Sequence, residues 1–171
     1  YIIRIDRDKR PDKPDISLKN GEKQNVKEFH NPKVENGKIN NLILRESSIL
    51  GYRAIGGIVG DLIGEDSIIT NCLSDCTVSA LDSGAGGVVA ELRSGAKILR
   101  CINLGDVSSK DYIGGICSWA AENSSNPSWI NYSYNRGEIT VLNSGSGTWI
   151  NGICMGCNQN YCYNAADGNE L

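Results

Sequence analysis

IGGIVG at residues 55–60 returns as AGGVVA at 85–90, as IGGICS at 113–118 and as INGICM at 150–155. A second stretch follows each copy in the same order. ITNCLSDCTV (69–78) is matched by ILRCINLGDV (98–107), by INYSYNRGEI (130–139) and more weakly by QNYCYNAADG (159–168), while INNLILRESS (39–48) reads as a degenerate leading copy. Counted along Cys72, Cys101, Ser133 and Cys162, the steps are 29, 32 and 29 residues. A fixed period of this length is the mark of a repeat architecture. Within the period the segments are short, β-branched and bounded by Gly, Asn and Ser, with no helical spacing, so they are strands. Three short strands per period, with like residues aligned, make one coil of a parallel β-solenoid whose coils stack ~4.8 Å apart. The crossover preference makes it right-handed. The fold expected is therefore all-β, a right-handed parallel β-helix of four to five coils with an irregular N-terminal cap.

The aligned positions form columns. Ile69, Ile98 and Ile130 make one aliphatic ladder; Val78, Val107 and Ile139 make a second; Ile58, Val88, Ile116 and Ile153 make a third. Burial of each such side chain contributes ~1.5–3 kcal/mol. Behind the Cys column stand Ser74, Asn103, Asn135 and Asn164. They are expected at a tight corner, because Asn tolerates left-handed backbone geometry and its amides can bond along the axis. Gly105 and Gly137 follow two residues after Asn103 and Asn135, where the chain turns again.

Outward from the repeats the composition changes. Of 171 residues, 40% are apolar and 22% charged, which excludes wholesale disorder, and no apolar run approaches the ~18–20 residues of a spanning helix. Residues 1–45 hold 11 Lys/Arg and 7 Asp/Glu, whereas the remainder holds 6 and 13. Together with the net charge of −3, this removes the electrostatic case for nucleic acid. Two regions are expected: residues 1–36, a strand (YIIRI, 1–5), a charged linker (7–15) and a cap or entry segment, and residues 37–171, the solenoid. A separate small domain is the alternative for 1–36. ISL (16–18), NVKEF (25–29) and PKVENGKI (32–39) read as strands, with turn signals at Asn20-Gly21 and Asn36-Gly37. With neither a start Met nor a signal-peptide core in view, the chain reads as a segment of something larger.

GGIVG followed by I-x-x-C-x-N-x-G-x-V resembles the GLUG repeat, over residues 37–168 and most strongly over 55–139. Cys76 stands where that repeat has Gly, and Ser133 where it has Cys. The resemblance implies a β-solenoid stalk or adhesion module of a large bacterial surface or secreted protein, some of which carry an IgA-cleaving metallopeptidase domain elsewhere. It transfers no catalytic residue, since H-E-x-x-H does not occur here.

Seven cysteines invite a metal or disulfide reading, and Cys72-x3-Cys76 and Cys154-x2-Cys157-x4-Cys162 have ligand-like spacing. Yet Cys72, Cys101 and Cys162 share one column and Cys117 and Cys154 another, as small core residues do. Core packing is the favoured reading. Disulfides and metal binding stay open, because stacked columns bring Cα atoms within bridging range.

Trp119, Trp129 and Trp149 all fall in the third copy of the repeat, on its two longest loops, with Tyr132 and Tyr134 following on the same coil. Large aromatics on loops of a rigid scaffold suit carbohydrate stacking or a protein hot spot, so these five are the candidate ligand-binding residues. The blander reading is that the Trp residues fold the long loops onto the coil. Carboxylates recur at Asp61 and Glu91 after the GG strand, and at Asp75, Asp106, Glu138 and Asp167 near the third corner. A pair could do acid–base work on a glycosidic bond, but recurrence at each repeat favours solvated corners. No calcium loop or phosphate-binding glycine motif occurs. The expectation is a non-catalytic, extracellular, cell-surface or secreted module for adhesion, display or spacing. It needs no cofactor and no metal. Its partners would be a host glycan or protein and neighbouring domains of the same polypeptide, with neither nucleic acid nor membrane insertion. The alternative is a polysaccharide-active β-helix enzyme, a lyase or glycoside hydrolase.

Overall fold

The computed structural model describes residues 33–121, 125–142 and 148–165, and two short strands, Asp15–Ser17 and Lys23–Asn25. That pair is antiparallel and takes in part of the expected ISL strand; YIIRI and most of the charged linker lie outside the described residues. From Lys33 onward every strand pairing is parallel, and about four turns stack into a β-solenoid.

Each turn has three faces. The first is built from Lys33–Glu35, Val59–Ile63, Val89–Arg93 and Cys117–Ala120. The second stacks Lys38–Asn40, Ile68–Thr70, Lys97–Leu99, Trp129–Asn131 and Asn158–Asn160. The third is a bent wall, formed in the early turns by the 14-residue strands Ile43–Gly56 and Leu73–Gly86 and later by shorter pieces such as Ile102–Asn103, Tyr134–Asn135 and Tyr163–Asn164.

The three aliphatic ladders are in the expected register. Ile98 pairs with Ile69 and Ile130, and Val107 with Val78 and Ile139. Ile58, Val88, Ile116 and Ile153 follow one another through backbone hydrogen bonds. Ile69, Ile98, Ile130, Val78 and Val107 are fully buried. The first face adds the inward columns Val59–Val89–Cys117 and Val34–Leu62–Leu92–Ala120.

The core has two lobes. One holds Ile58, Val88 and the Cys72–Cys101 column; the other holds Ile55, Cys76, Val78, Ala85 and Val107. Between them the Asn column meets the GG column. A Cβ on Gly87 would collide with the Asn103 amide and the Gly115 carbonyl, and one on Gly115 with the Asn135 amide. The second glycine of each pair is small because the inward Asn lies against it. Asn103 Nδ2 donates to Asn135 Oδ1 at 2.8 Å, and Asn135 Nδ2 to Asn164 Oδ1 at 2.7 Å. These amides also donate to Gly105 and Gly137 carbonyls, so Asn103, Asn135 and Asn164 are joined in one axial ladder.

The expected corner geometry of this column is corrected by the structure. Asn103 and Asn135 lie in strands and are fully buried; the left-handed residues are Asn71 (φ 54°), Arg100 (51°), Tyr132 (53°) and Tyr161 (52°), each one residue before the Cys column. The Cys column closes that corner. Cys72 and Cys101 donate their thiols to the carbonyls of Thr70 and Leu99 at 3.2 and 3.4 Å, Cys162 lies between Asn160 O at 3.4 Å and Ile130 O at 3.2 Å, and Ser133 donates its hydroxyl to Asn131 O at 3.1 Å. The bond runs to the carbonyl two residues earlier, across the left-handed residue, and a hydroxyl makes it as well as a thiol. This is why Ser133 replaces Cys without breaking the repeat.

Candidate functional site

A strand alternates its side chains, so at the start of the third wall the column next to the Cys column points outward. That column is Ile43, Leu73, Ile102, Tyr134 and Tyr163. Beside it, at the corner, stand Asn41, Asn71, Arg100, Tyr132 and Tyr161. Two residues further along, Arg45, Asp75, Leu104 and Arg136 also face out. In the last two turns both aromatic columns are tyrosine. Tyr132 stacks on Tyr161 with ring centroids 5.0 Å apart and planes within 1°, and Tyr134 stacks on Tyr163 at 5.6 Å and 2°. Tyr132 is 55% and Tyr161 80% exposed.

The candidate residues separate by face. Tyr132 and Tyr134 lie in this array together with Tyr161 and Tyr163, which the sequence reading did not single out. The signal for them was present: Y-C-Y at 161–163 aligns with Y-S-Y at 132–134. Trp119 faces outward on the first face, in register with Glu91 and bridged to Met155, and is 37% exposed. Trp129 opens the second face, paired with Lys97 and Asn158, and is half-buried. Trp149 sits on the far part of the third wall beside Tyr112, its carbonyl accepting from Ile113 N, and is 51% exposed. Of the loop before Trp129, the described part packs back on the turn below, where Asn126 Nδ2 donates to Ser94 O at 3.3 Å.

The carboxylates fall into two places. Asp61 and Glu91 are register neighbours on the first face, and the Arg93 guanidinium pairs with both. Asp75, Asp106 and Glu138 belong to the third wall, where Asp106 Oδ1 accepts from Glu138 N at 2.9 Å. Asp167 lies outside the described residues.

All seven cysteines are free, and five are buried. Among the described residues no group of three or more His, Cys, Asp or Glu side chains is placed to hold a metal ion. Burial pushes the Cys101 thiol up to about 12. Cys154 is also raised, by burial first and then by the neighbouring Cys117 and Cys157 thiols. Thiols held protonated in this way are poor nucleophiles; their geometry is that of core and corner packing.

Neither a protein-family model nor a curated protein matches the chain. Among solved structures, a crystal structure described as a putative immunoglobulin A1 protease from Bacteroides ovatus superposes with a TM-score of 0.65 and 25% identity, over 80% of this chain and 44% of that one. The likeness is to part of a longer protein. The chain spans less than half of that neighbour's length.

Proposed function

We propose that this solenoid is a non-catalytic module of a bacterial surface or secreted protein, related to GLUG-type repeat regions, that acts by adhesion or display and sets the spacing of neighbouring domains. The observation that carries this reading is the placement of its large aromatics. Tyr132 and Tyr161 stand exposed at one corner of the later turns, and Trp149 on the far part of the third wall, whereas the early turns complete that corner with Asn41 and Asn71. A solenoid corner needs only a residue that accepts the left-handed region, so exposed rings there serve contact and not closure. The neighbour's description, a putative immunoglobulin A1 protease from Bacteroides ovatus, is compatible with such a module inside a larger secreted protein. Host glycans or proteins are the partners proposed.

The competing reading is a polysaccharide-active enzyme using Asp61 and Glu91, which stand side by side on the first face. Arg93 occupies both carboxylates, which favours a structural ion-pair ladder there. One experiment separates the two. Purified protein is incubated with a polysaccharide panel and followed for new reducing ends or unsaturated sugars, while intact producing cells are labelled with an antibody to residues 33–165. The display reading requires surface labelling and no turnover. Turnover lost in Glu91→Gln would establish the enzyme instead.

A further inference from the structure

The array at the start of the third wall differs from the rest of the molecule in charge as well as in aromatic content. Residues 46–171 carry 6 Lys/Arg against 13 Asp/Glu. Several of these cations are already engaged: Arg53 with Asp82, Arg93 with Asp61 and Glu91, and Lys97 Nζ with Glu65 O. Arg100 and Arg136 are exposed and make no ion pair among the described residues. Both flank the tyrosines, Arg100 directly beneath Tyr132 in the corner column and Arg136 two residues beyond Tyr134. Arg45 lies further down the Arg136 column, and Asp75 is the carboxylate in it; Glu138 follows two residues after Arg136.

The corner tyrosines are costly where they stand. A bulky side chain in the left-handed region is disfavoured by roughly 1 kcal/mol or more, and Asn is among the residues that tolerate it. The chain uses Asn at this corner twice, then Arg, then Tyr twice. Folding does not ask for that change. Unpaired Arg and exposed Tyr together are the composition of protein-binding hot spots.

We infer that Tyr132, Tyr134, Tyr161 and Tyr163, flanked by Arg100 and Arg136, form a docking surface for an acidic, aromatic-containing polypeptide segment. The charge assigns the acidic partner: two guanidiniums with no ion pair among the described residues, in an otherwise acidic region. Composition favours a polypeptide over a sugar: Tyr and Arg are the residues enriched at protein-binding hot spots, and a guanidinium pairs in a directed, bidentate way with a peptide carboxylate. This inference rests on the display reading. Its failure leaves the spacer form of that reading intact, and polysaccharide turnover would remove the display reading without touching the array.

The test is binding of a fluorescent poly(Glu,Tyr) copolymer, measured by anisotropy at low and physiological salt. Polysialic acid serves as the anionic glycan comparator. The wild-type chain binds the copolymer more tightly than polysialic acid. Arg100→Glu and Arg136→Glu each weaken binding about tenfold, and Tyr161→Ser does likewise. Lys110→Glu, on another part of the third wall, changes it less than twofold. Melting curves confirm that each variant is folded, and these exposed sites leave them within a few degrees of wild type. Absence of copolymer binding at low salt, binding indifferent to the Arg reversals, or equal or tighter binding of polysialic acid each overturns the inference.

Discussion

From the second turn onward, two neighbouring positions are under opposite constraints. At the inward one stand Cys72, Cys101, Ser133 and Cys162, all small and all able to donate to the carbonyl two residues back. At the outward one, a single residue earlier, stand Asn71, Arg100, Tyr132 and Tyr161, which share a backbone angle but not one side-chain chemistry. From Cys72 onward the interior sets the first column through volume, burial and a hydrogen bond, and in the first turn Leu42 fills the same place by packing alone. At the second column the fold demands only a left-handed backbone, and the side chain is left to whatever the surface does. Repetition of a side chain reports packing; its variation at a fixed backbone geometry leaves the side chain free for contact.

The comparison fails if the inward columns tolerate change. Ile98→Asp places an unpaired carboxylate in a fully buried ladder and is expected to lower stability by more than about 4 kcal/mol. Denaturant unfolding at neutral pH measures this, and a midpoint equal to wild type would place Ile98 outside the core. Gly87→Ala forces a methyl group between the Asn103 amide and the Gly115 carbonyl, and the backbone has little room to yield. A loss of about 3 kcal/mol is expected from this overpacking. A neutral result would mean that the two walls do not meet there.

The corner thiols sharpen the comparison through pH. Cys101 keeps its proton up to about 12 in the folded chain, against 9.0 for an unperturbed thiol. Between those values the folded state binds the extra proton, so its stability is complete below pH 9 and falls as pH rises towards 12, by roughly 1.4 kcal/mol per unit from this group. Cys101→Ser keeps the corner bond, as Ser133 does, and costs about 1 kcal/mol or less at pH 7 while flattening the alkaline loss. Urea melts of both proteins from pH 8 to 11 give the slopes. Parallel slopes would remove Cys101 as the titrating group.

The solenoid, its period and its aliphatic ladders were legible because each depends on residues that recur at matched positions. The left-handed corner was not, since neither Arg100 nor Tyr132 carries any turn preference, and the Asn column drew that assignment to itself. Asn103 and Asn135 turned out to bridge two core lobes, a role visible only once the facing glycines are seen across the interior. The aromatic site was legible in part. Grouping Trp119, Trp129 and Trp149 by coil ignores that a coil has three faces, and the strands place these residues on different ones. Tyr161 and Tyr163 were concealed in the weakest copy of the repeat, although their alternation with Cys162 is the same as that of Tyr132 and Tyr134 with Ser133.

The most direct test of the division between inward and outward columns is the thermal stability of the double variant Tyr132→Asn/Tyr161→Asn. The substitution removes one ring stack, worth about 1 kcal/mol, and restores at both corners the residue that Asn41 and Asn71 already supply. Relief of left-handed strain offsets the lost stack. The melting temperature is expected to stay within about 4 °C of wild type, with an unchanged cooperative transition. A fall well beyond that would show the tyrosines to be structural and would contradict the claim that the outward column is free of the fold.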